Sequence, residues 1–277
     1  MNLRRRLRQS LGHQASPKST TRRWRVESES PAGTWRVLIL ATSRINYVIL
    51  VRLIQEKLAT STFGGARKGM ATSEEHWKHV YESTPDAERS WARKYLKDSL
   101  NAIDRVAPRI PCAIIDVGGG VGDDSITSHV AFDGGAGYIL AIPAAALGMN
   151  SDERDQWISV IGLNHSFCVG DVLTARLPQV EVWHDRATMH FLTDAKDRRR
   201  YVERAADQIV PGGGIIVSGF STEGPTHCSG LEVLRRSPDE LSPEFSEYFD
   251  VIDAYEADHI TPIGVVQRFA WYLGRRK

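Results

Sequence analysis

The stretch AIIDVGGGVG, residues 113–122, decides the fold class, because it sets a short strand directly before a glycine-rich turn. Its continuous apolar run is typical of a strand buried on both faces of a parallel sheet. Similar runs recur at residues 138–142, 180–184 and 214–220, and a helical pattern, clearest at residues 193–209, lies between several of them. This alternation of strand and helix predicts a doubly wound α/β domain.

The segments on either side of this core complete the predicted domain. Before the glycine-rich turn, Ser73 is a suitable N-cap for one helix and Pro85 would end it, and a second helix is expected over residues 87–106. After the last parallel strand, residues 248–256 and 265–273 are typical of two strands joined by a turn. We expect this antiparallel pair to close one edge of the sheet.

The composition excludes several classes of protein. Of the 277 residues, 42% are hydrophobic and 25% are charged, which is enough apolar material for a core without a metal or disulfide staple. The three cysteines, Cys112, Cys168 and Cys228, form no CxxC pair, so neither a zinc site nor a disulfide framework is expected. The sequence therefore predicts a reduced, cytoplasmic protein without a metal.

Residues 1–69 are predicted to be a basic leader, disordered or targeting, in front of a domain over residues 70–277. The leader contains 14 Lys and Arg and three acidic residues, whereas the whole chain has a net charge of only +1. Such a start is typical of a mitochondrial or plastid transit peptide, and a mitochondrial location would follow from a genuine mitochondrial one. A disordered basic tail and an upstream extension of the reading frame fit the same residues.

The leader is expected neither to span a membrane nor to bind nucleic acid. Its apolar stretch, residues 37–54, contains Arg44 and Arg52, and the cost of arginine in a bilayer argues against a transmembrane segment. No nucleic-acid motif accompanies the basic residues, so nucleic acid is not a predicted partner either.

The glycine-rich turn admits two ligand interpretations and one without a ligand. Residues 116–122 satisfy the pattern D-x-G-x-G-x-G, in which glycines let a ligand approach the backbone at the mouth of the next helix. The dinucleotide pattern G-x-G-x-x-G fails, because its third glycine would fall on Asp123 or Ser125. A nicotinamide-dependent oxidoreductase is therefore the weaker alternative, and a tight turn with no ligand fits as well as a ligand site.

Five segments, in chain order, resemble class I S-adenosylmethionine-dependent methyltransferases. They are the opening helix pattern at residues 75–91, motif I at 115–122, GDV at 170–172, VWHDRATMHFL at 182–192 and VPGGG at 210–214. The resemblance implies a Rossmann-like seven-stranded sheet, mostly parallel with an antiparallel last strand and helices on both faces. It also implies methyl transfer from the cofactor S-adenosylmethionine to a small-molecule or protein acceptor.

The resemblance further implies which residues bind the cofactor. Asp171 would face the adenine amino group, and Trp77 and Trp91 would cover the cofactor. The methionine end would be held by the carboxylate and the glycines of motif I, namely Asp116, Gly118, Gly120 and Gly122.

Two residues at the end of the fourth parallel strand are the predicted catalytic pair. His184 and Asp185 lie where open α/β sheets bind their ligands, and either could orient or deprotonate the acceptor. The nearby His190 is expected to be a half-buried, hydrogen-bonded histidine.

Ala141 departs from the family pattern. This cofactor-binding position usually holds an acid that binds both ribose hydroxyls. Hydrogen bonds to a charged group contribute roughly 1.5–3 kcal/mol, so alanine predicts cofactor binding that is weaker by about one to two orders of magnitude. The alternative function is therefore a methyltransferase-like binding protein that has lost catalysis.

Overall fold

The computed structural model describes residues 22–30, 33–41, 70–85, 88–91, 96–119, 135–141, 158–160 and 165–277. They belong to two units, Met1–Leu50 and Val51–Lys277. In the first unit, β1 (Arg22–Ser30) and β2 (Gly33–Ala41) pair as an antiparallel hairpin. The sequence did not predict this hairpin, and the division into a leader and a domain stays a prediction.

The second unit is built on one mixed sheet. In chain order its helices and strands are α1 (Met70–Ser83), α2 (Lys97–Val106), β3 (Ala113–Val117), β4 (Ala136–Ala141), β5 (Ile158–Val160), β6 (His165–Val169), β7 (Val180–Arg186), α3 (Ala195–Gln208), β8 (Ile209–Phe220), β9 (His227–Cys228), β10 (Leu231–Glu232), α4 (Pro238–Leu241), β11 (Phe249–Ile260) and β12 (Val266–Arg276). The described strands of this sheet have the order β11-β12-β8-β7-β3-β4-β6-β5, and the two short strands β9 and β10 pair separately.

The strand directions confirm the predicted Rossmann-like fold. Strands β8, β7, β3, β4 and β6 run parallel to one another. The last strand, β12, is antiparallel to both β8 and β11, as the resemblance implied. The three-residue strand β5 pairs antiparallel with β6 and adds an eighth strand at the far edge, which the sequence did not predict.

Helices α2 and α3 cover opposite faces of the sheet, which confirms the predicted layers. Consecutive strand residues alternate between two cores, because side chains along a strand point to opposite faces. Ile114 and Val182 pack in the core that contains α2, whereas the next residues, Ile115 and Trp183, pack in the core that contains α3. Both faces are buried, and this explains the continuous apolar runs in the sequence.

The helix predicted over residues 87–106 is shorter than expected, and this part of the prediction was wrong. The helix begins only at Lys97, and the described residues 88–91 form turns and not an α-helix. Arg89 stabilises the turned chain, since its Nη2 and Nε donate to the carbonyl oxygens of Tyr81 and Thr84 at 2.8 and 3.1 Å. The chain therefore folds back against the end of α1 instead of continuing as a helix.

Other predicted boundaries lie close to the observed ones. Helix α1 ends before Pro85 as expected, although it begins at Met70, upstream of the predicted N-cap Ser73. Helix α3 matches the helical pattern, and its N-cap Asp194 accepts a hydrogen bond from the backbone N–H of Lys196 at 2.7 Å. Strands β11 and β12 form the predicted antiparallel pair at one edge of the sheet.

Candidate functional site

The candidate site lies at the carboxyl ends of four adjacent parallel strands, where open α/β sheets bind their ligands. Gly118 follows β3, Ala141 ends β4, Asp171 lies just beyond β6, and Thr188 lies just beyond β7. The backbone N–H of Gly118 donates to the carbonyl of Leu140 at 2.7 Å. This bond continues the ladder between β3 and β4 up to the point at which the chain turns off the sheet.

The first two glycines of the turn are each required by a neighbouring side chain. Gly118 has a φ of +75°, which side-chain-bearing residues rarely adopt, and a Cβ atom there would overlap the hydroxyl of Thr188. A Cβ atom at Gly119 would overlap the carboxylate of Asp116. The sequence suggested that glycine lets a ligand approach the backbone, and the structure adds a packing reason within the protein itself.

On the α2 face, Ser99, His184 and Asp116 form a buried polar chain that we call the histidine chain. Nδ1 of His184 lies 2.8 Å from Oδ1 of Asp116, and its Nε2 lies 2.9 Å from Oγ of Ser99. Asp116 and His184 are direct neighbours across β3 and β7, and Ser99 comes from the first turn of α2. All three residues are at least 96% buried, so bulk water does not compete for these bonds.

On the α3 face, Asp185 is the centre of a second buried group that we call the carboxylate network. Its Oδ2 accepts from the Tyr201 hydroxyl at 2.6 Å and from the N–H of Met189 at 3.0 Å, and its Oδ1 accepts from the N–H of Thr188 at 2.8 Å. The Tyr201 hydroxyl in turn accepts from Nε1 of Trp183 at 2.8 Å. Burial raises the pKa of Asp185 to about 6, although these hydrogen bonds lower it, and burial also raises the pKa of Tyr201.

The two groups meet at the glycine turn from opposite faces of the sheet. In the carboxylate network, the hydroxyl of Thr188 donates to the carbonyl of Val117 at 3.0 Å and packs against Gly118. In the histidine chain, Asp116 packs against Gly119. The turn is therefore held on one side by a loop residue and on the other by a strand carboxylate.

The predicted catalytic pair does not face an open cleft in this structure. The sequence predicted that His184 and Asp185 would face the methyl acceptor. Their exposed fractions are 2% and 0%, and both side chains are hydrogen-bonded within the sheet layers. Of the other predicted residues at the turn, Gly120 and Gly122 lie outside the described residues.

The predicted aromatic pair does come together beside the end of β7. The rings of Trp77 and Trp91 are 6.3 Å apart and perpendicular, and Trp77 also packs on Phe191 at 5.2 Å. The carbonyl of Trp91 accepts from Nη2 of Arg186, the last residue of β7, at 2.8 Å. These contacts hold helix α1 at the carboxyl edge of the sheet. The role of the two tryptophans as a cofactor cover stays a prediction.

Asp171 and Ala141 lie side by side at the ends of β6 and β4. The N–H of Gly170 donates to the carbonyl of Ala141 at 2.9 Å. Oδ1 of the half-buried Asp171 accepts from the N–H of Leu173 at 2.8 Å, and this bond closes a tight turn after β6. Ala141 is 5% exposed and offers only a methyl group at the position where the resemblance implied a carboxylate.

His190 differs from its predicted environment. The prediction of a half-buried, hydrogen-bonded histidine was wrong, because the residue is 2% exposed and neither ring nitrogen has a hydrogen-bond partner within the described part of the chain. Its ring packs between Phe191 and Phe220, with centroids 4.4 and 5.1 Å away. Burial, followed by the charge of Arg236, lowers its pKa to about 3, so the ring is neutral at physiological pH.

The sequence reasoning missed three residues of the site: Ser99, Thr188 and Tyr201. A signal existed for Ser99, which shares the buried face of α2 with Ala102 and Val106 at helical spacing. A serine on an otherwise apolar helix face needs a buried partner, so this pattern could have marked Ser99 as a candidate, although it does not say which residue Ser99 bonds.

The described residues contain neither a candidate metal-binding cluster nor a helix that could span a membrane. No group of three or more His, Cys, Asp or Glu side chains in this part of the chain is arranged to hold a metal ion. Of the helices that the structure describes, none is long and apolar enough to span a membrane.

Comparison with solved structures identifies the fold. A protein studied in the conversion of a disulfide bond into a thioacetal group during echinomycin biosynthesis is 21% identical, with a TM-score of 0.56 over 74% of this chain and 92% of that one. A SAM-dependent methyltransferase from Anabaena variabilis is 13% identical, with a TM-score of 0.53 over 79% and 99%. The Burkholderia thailandensis 1,6-didemethyltoxoflavin-N1-methyltransferase, solved with 1,6-didemethyltoxoflavin and S-adenosylhomocysteine, is 13% identical, with a TM-score of 0.51 over 96% and 98%.

No family model matches the chain, and no curated protein sequence matches it. The fold is that of the class I methyltransferases.

Proposed function

We propose that this chain transfers a methyl group from S-adenosylmethionine to a small-molecule or protein acceptor. The observation that carries the proposal is the glycine turn at Gly118, which has a positive φ and ends the central strand of a methyltransferase fold. A buried carboxylate, Asp116, is held directly beside this turn. Bare backbone next to a fixed negative charge suits the methionine end of the cofactor, which carries an ammonium group.

The described residues fit two of the three parts of this cofactor. Gly118 and Asp116 would hold the methionine end. Asp171 would accept from the adenine amino group, because the N–H of Leu173 occupies only one of its two carboxylate oxygens. The ribose has no matching acid at Ala141, and this supports binding that is weaker than is usual for the family.

When bound, S-adenosylmethionine supplies a methyl group on a sulfonium centre, which an acceptor atom displaces in line. Such a reaction needs positioning and electrostatic complementarity more than covalent help from the protein. The burial of His184 and Asp185 supports a positioning role for both residues, in which they hold the turn rather than touch the acceptor. The acceptor would then be oriented by other residues around the carboxyl edge of the sheet.

Calorimetric titration of the full chain with S-adenosylmethionine and S-adenosylhomocysteine tests the proposal. We expect saturable binding of both ligands at one site, with thermal stabilisation of the protein by mass action. NADH is the comparison ligand, because a nicotinamide-dependent enzyme would bind it in preference. A folded chain that binds neither sulfur ligand, or that binds NADH alone, would overturn the proposal.

A further inference from the structure

The histidine chain has the connectivity of a serine–histidine–aspartate triad, but its serine is directed inward. A nucleophilic serine must reach a substrate, as the triad logic requires. Ser99 is only 1% exposed and lies on the buried side of α2, next to Ala102 in the helix core. The hydroxyl of Ser99 is therefore placed to act on His184 rather than on a substrate.

The hydrogen bonds of this chain give the two nitrogens of the His184 ring different partners. An ionised carboxylate can only accept hydrogen bonds, so Nδ1 of His184 would carry the proton that faces Asp116. In the ring form with a single proton, Nε2 is then an acceptor, and the hydroxyl of Ser99 at 2.9 Å is its donor. Without this hydroxyl, a buried ring nitrogen would lose its partner, and the ring would be free to change tautomer or rotate.

The far end of the chain is the carboxylate beside the glycine turn. Oδ1 of Asp116 is held by His184, and Oδ2 lies against Gly119, where a Cβ atom would overlap it. The orientation of Oδ2 toward the turn therefore depends on the orientation of the histidine ring. The ring orientation depends in turn on Ser99, which belongs to a different element of the fold.

We propose that Ser99 is a positioning residue of the cofactor site, which acts through His184 to hold the Asp116 carboxylate toward the methionine end of the cofactor. This inference rests on the proposed function. It assigns to helix α2 a part in cofactor binding, in addition to its packing on the sheet.

Nitrogen-15 NMR of histidine-labelled protein tests the first link. In the wild-type chain we expect the His184 ring to carry a proton on Nδ1 and to have a hydrogen-bonded Nε2. In Ser99→Ala the Nε2 resonance should shift or the tautomers should mix, and in Ser99→Thr, which keeps a hydroxyl, the wild-type pattern should return. A proton on Nε2 in the wild type, or an unchanged spectrum in Ser99→Ala, would overturn the inference.

Calorimetry with S-adenosylhomocysteine tests the second link. We expect Ser99→Ala to bind about tenfold more weakly than the wild type, and Ser99→Thr to recover most of this loss. The matched control is Val106→Ala, a fully buried change in the same helix but at its other end, which should lower the Tm without lowering the affinity.

The two possible failures are distinguishable. Equal affinities of the wild type and Ser99→Ala would overturn the positioning role alone. A folded wild-type chain that does not bind the ligand would overturn the proposed function, and the NMR result would then report on the histidine chain by itself.

Discussion

The two faces of the sheet hold the glycine turn in different ways, although the residues responsible are consecutive in β7. Asp185, on the α3 face, gathers three donors, two of which are backbone N–H groups of the following loop. His184, on the α2 face, has one side-chain partner on each ring nitrogen, Asp116 on Nδ1 and Ser99 on Nε2. One face thus fixes the path of the chain, and the other fixes the direction of a single carboxylate.

This difference separates stability from ligand affinity. Removing a buried acceptor that satisfies several donors costs the desolvation of every group left unpaired. A change in the histidine chain, in which each ring nitrogen has one partner, leaves fewer groups unpaired but changes the direction of the Asp116 carboxylate. We therefore expect changes in the carboxylate network to lower the free energy of unfolding and changes in the histidine chain to lower cofactor affinity.

The largest effect is expected for Asp185→Ala. The substitution leaves the Tyr201 hydroxyl and two backbone N–H groups without their acceptor at a position with 0% exposure. We expect the free energy of unfolding to fall by roughly 3–5 kcal/mol, as measured by denaturant titration at neutral pH. Asp207→Ala, an exposed change in the same helix layer, is the control and should change stability little.

Asp116→Ala should lower the free energy of unfolding less than Asp185→Ala does, and equal losses would contradict the difference between the two faces. Asp116 has one described hydrogen-bond partner, His184, so its removal should cost less stability than the loss of an acceptor with three donors. Its main effect should be on the binding of S-adenosylhomocysteine.

The free energy of unfolding should depend on pH through Asp185, because burial raises the pKa of this residue to about 6. Between the ordinary aspartate pKa and this value, the native state keeps a proton that the unfolded state has lost, so stability falls as pH rises. The difference in unfolding free energy between the wild type and the non-titrating Asp185→Asn should shrink by about 2 kcal/mol from about pH 4 to pH 7. A difference that grows with pH would show that the hydrogen bonds outweigh burial.

Two glycines with a positive φ, Gly118 and Gly264, differ in what surrounds them. Gly118 and Gly264 have φ values of +75° and +84°, but only at Gly118 would a Cβ atom overlap a neighbour, Thr188. We expect Gly118→Ala to cost about 2 kcal/mol or more in unfolding free energy, and Gly264→Ala only about 1 kcal/mol. Equal costs would mean that Thr188 moves aside freely and that the carboxylate network does not hold the turn.

Gly119→Ala is the counterpart on the other face. Its Cβ atom would meet the carboxylate of Asp116, so we expect weaker binding of S-adenosylhomocysteine with a smaller loss of stability than in Gly118→Ala. Calorimetry and thermal unfolding, measured in parallel, check whether Gly119→Ala lowers affinity more than stability while Gly118→Ala lowers stability more.

The sheet was predictable from the sequence because each parallel strand is buried on both faces and is therefore a continuous apolar run. The polar residues that end these runs, Asp116, His184 and Asp185, could be singled out for the same reason. Their partners could not, because the two bonds of His184 join residues 68 and 85 positions apart along the chain. Which face a polar side chain occupies depends on strand register, and register is a property of the folded sheet.

The shortened helix α2 shows the same limit on a local scale. Helical spacing favoured a helix from residue 87, but Arg89 binds two carbonyl groups at the end of α1 and turns the chain. An arginine in an amphipathic pattern predicts a solvent-exposed side chain. No periodicity indicates that its guanidinium will cap a neighbouring helix. Tertiary contacts therefore decided this boundary against local propensity.

The last substitution, Ala141→Asp, tests cofactor affinity at a position outside both buried groups. Ala141 ends β4 beside Gly170 and belongs to neither the histidine chain nor the carboxylate network. A carboxylate there would reach the ribose hydroxyls in the proposed binding mode. We expect S-adenosylhomocysteine to bind about 10- to 100-fold more tightly, because charge-assisted hydrogen bonds contribute roughly 1.5–3 kcal/mol.

Ala141→Asn is the control, since it has nearly the same size without the charge and should gain little affinity. Position 141 is 5% exposed, so the added charge should lower the Tm of the free protein, and ligand binding should restore it. Unchanged affinity in Ala141→Asp would mean that the ribose does not lie at the end of β4. The glycine turn would then have to bind its ligand in another orientation, and the positions proposed for Asp116 and Asp171 would fail together, because one ligand must span all three strand ends.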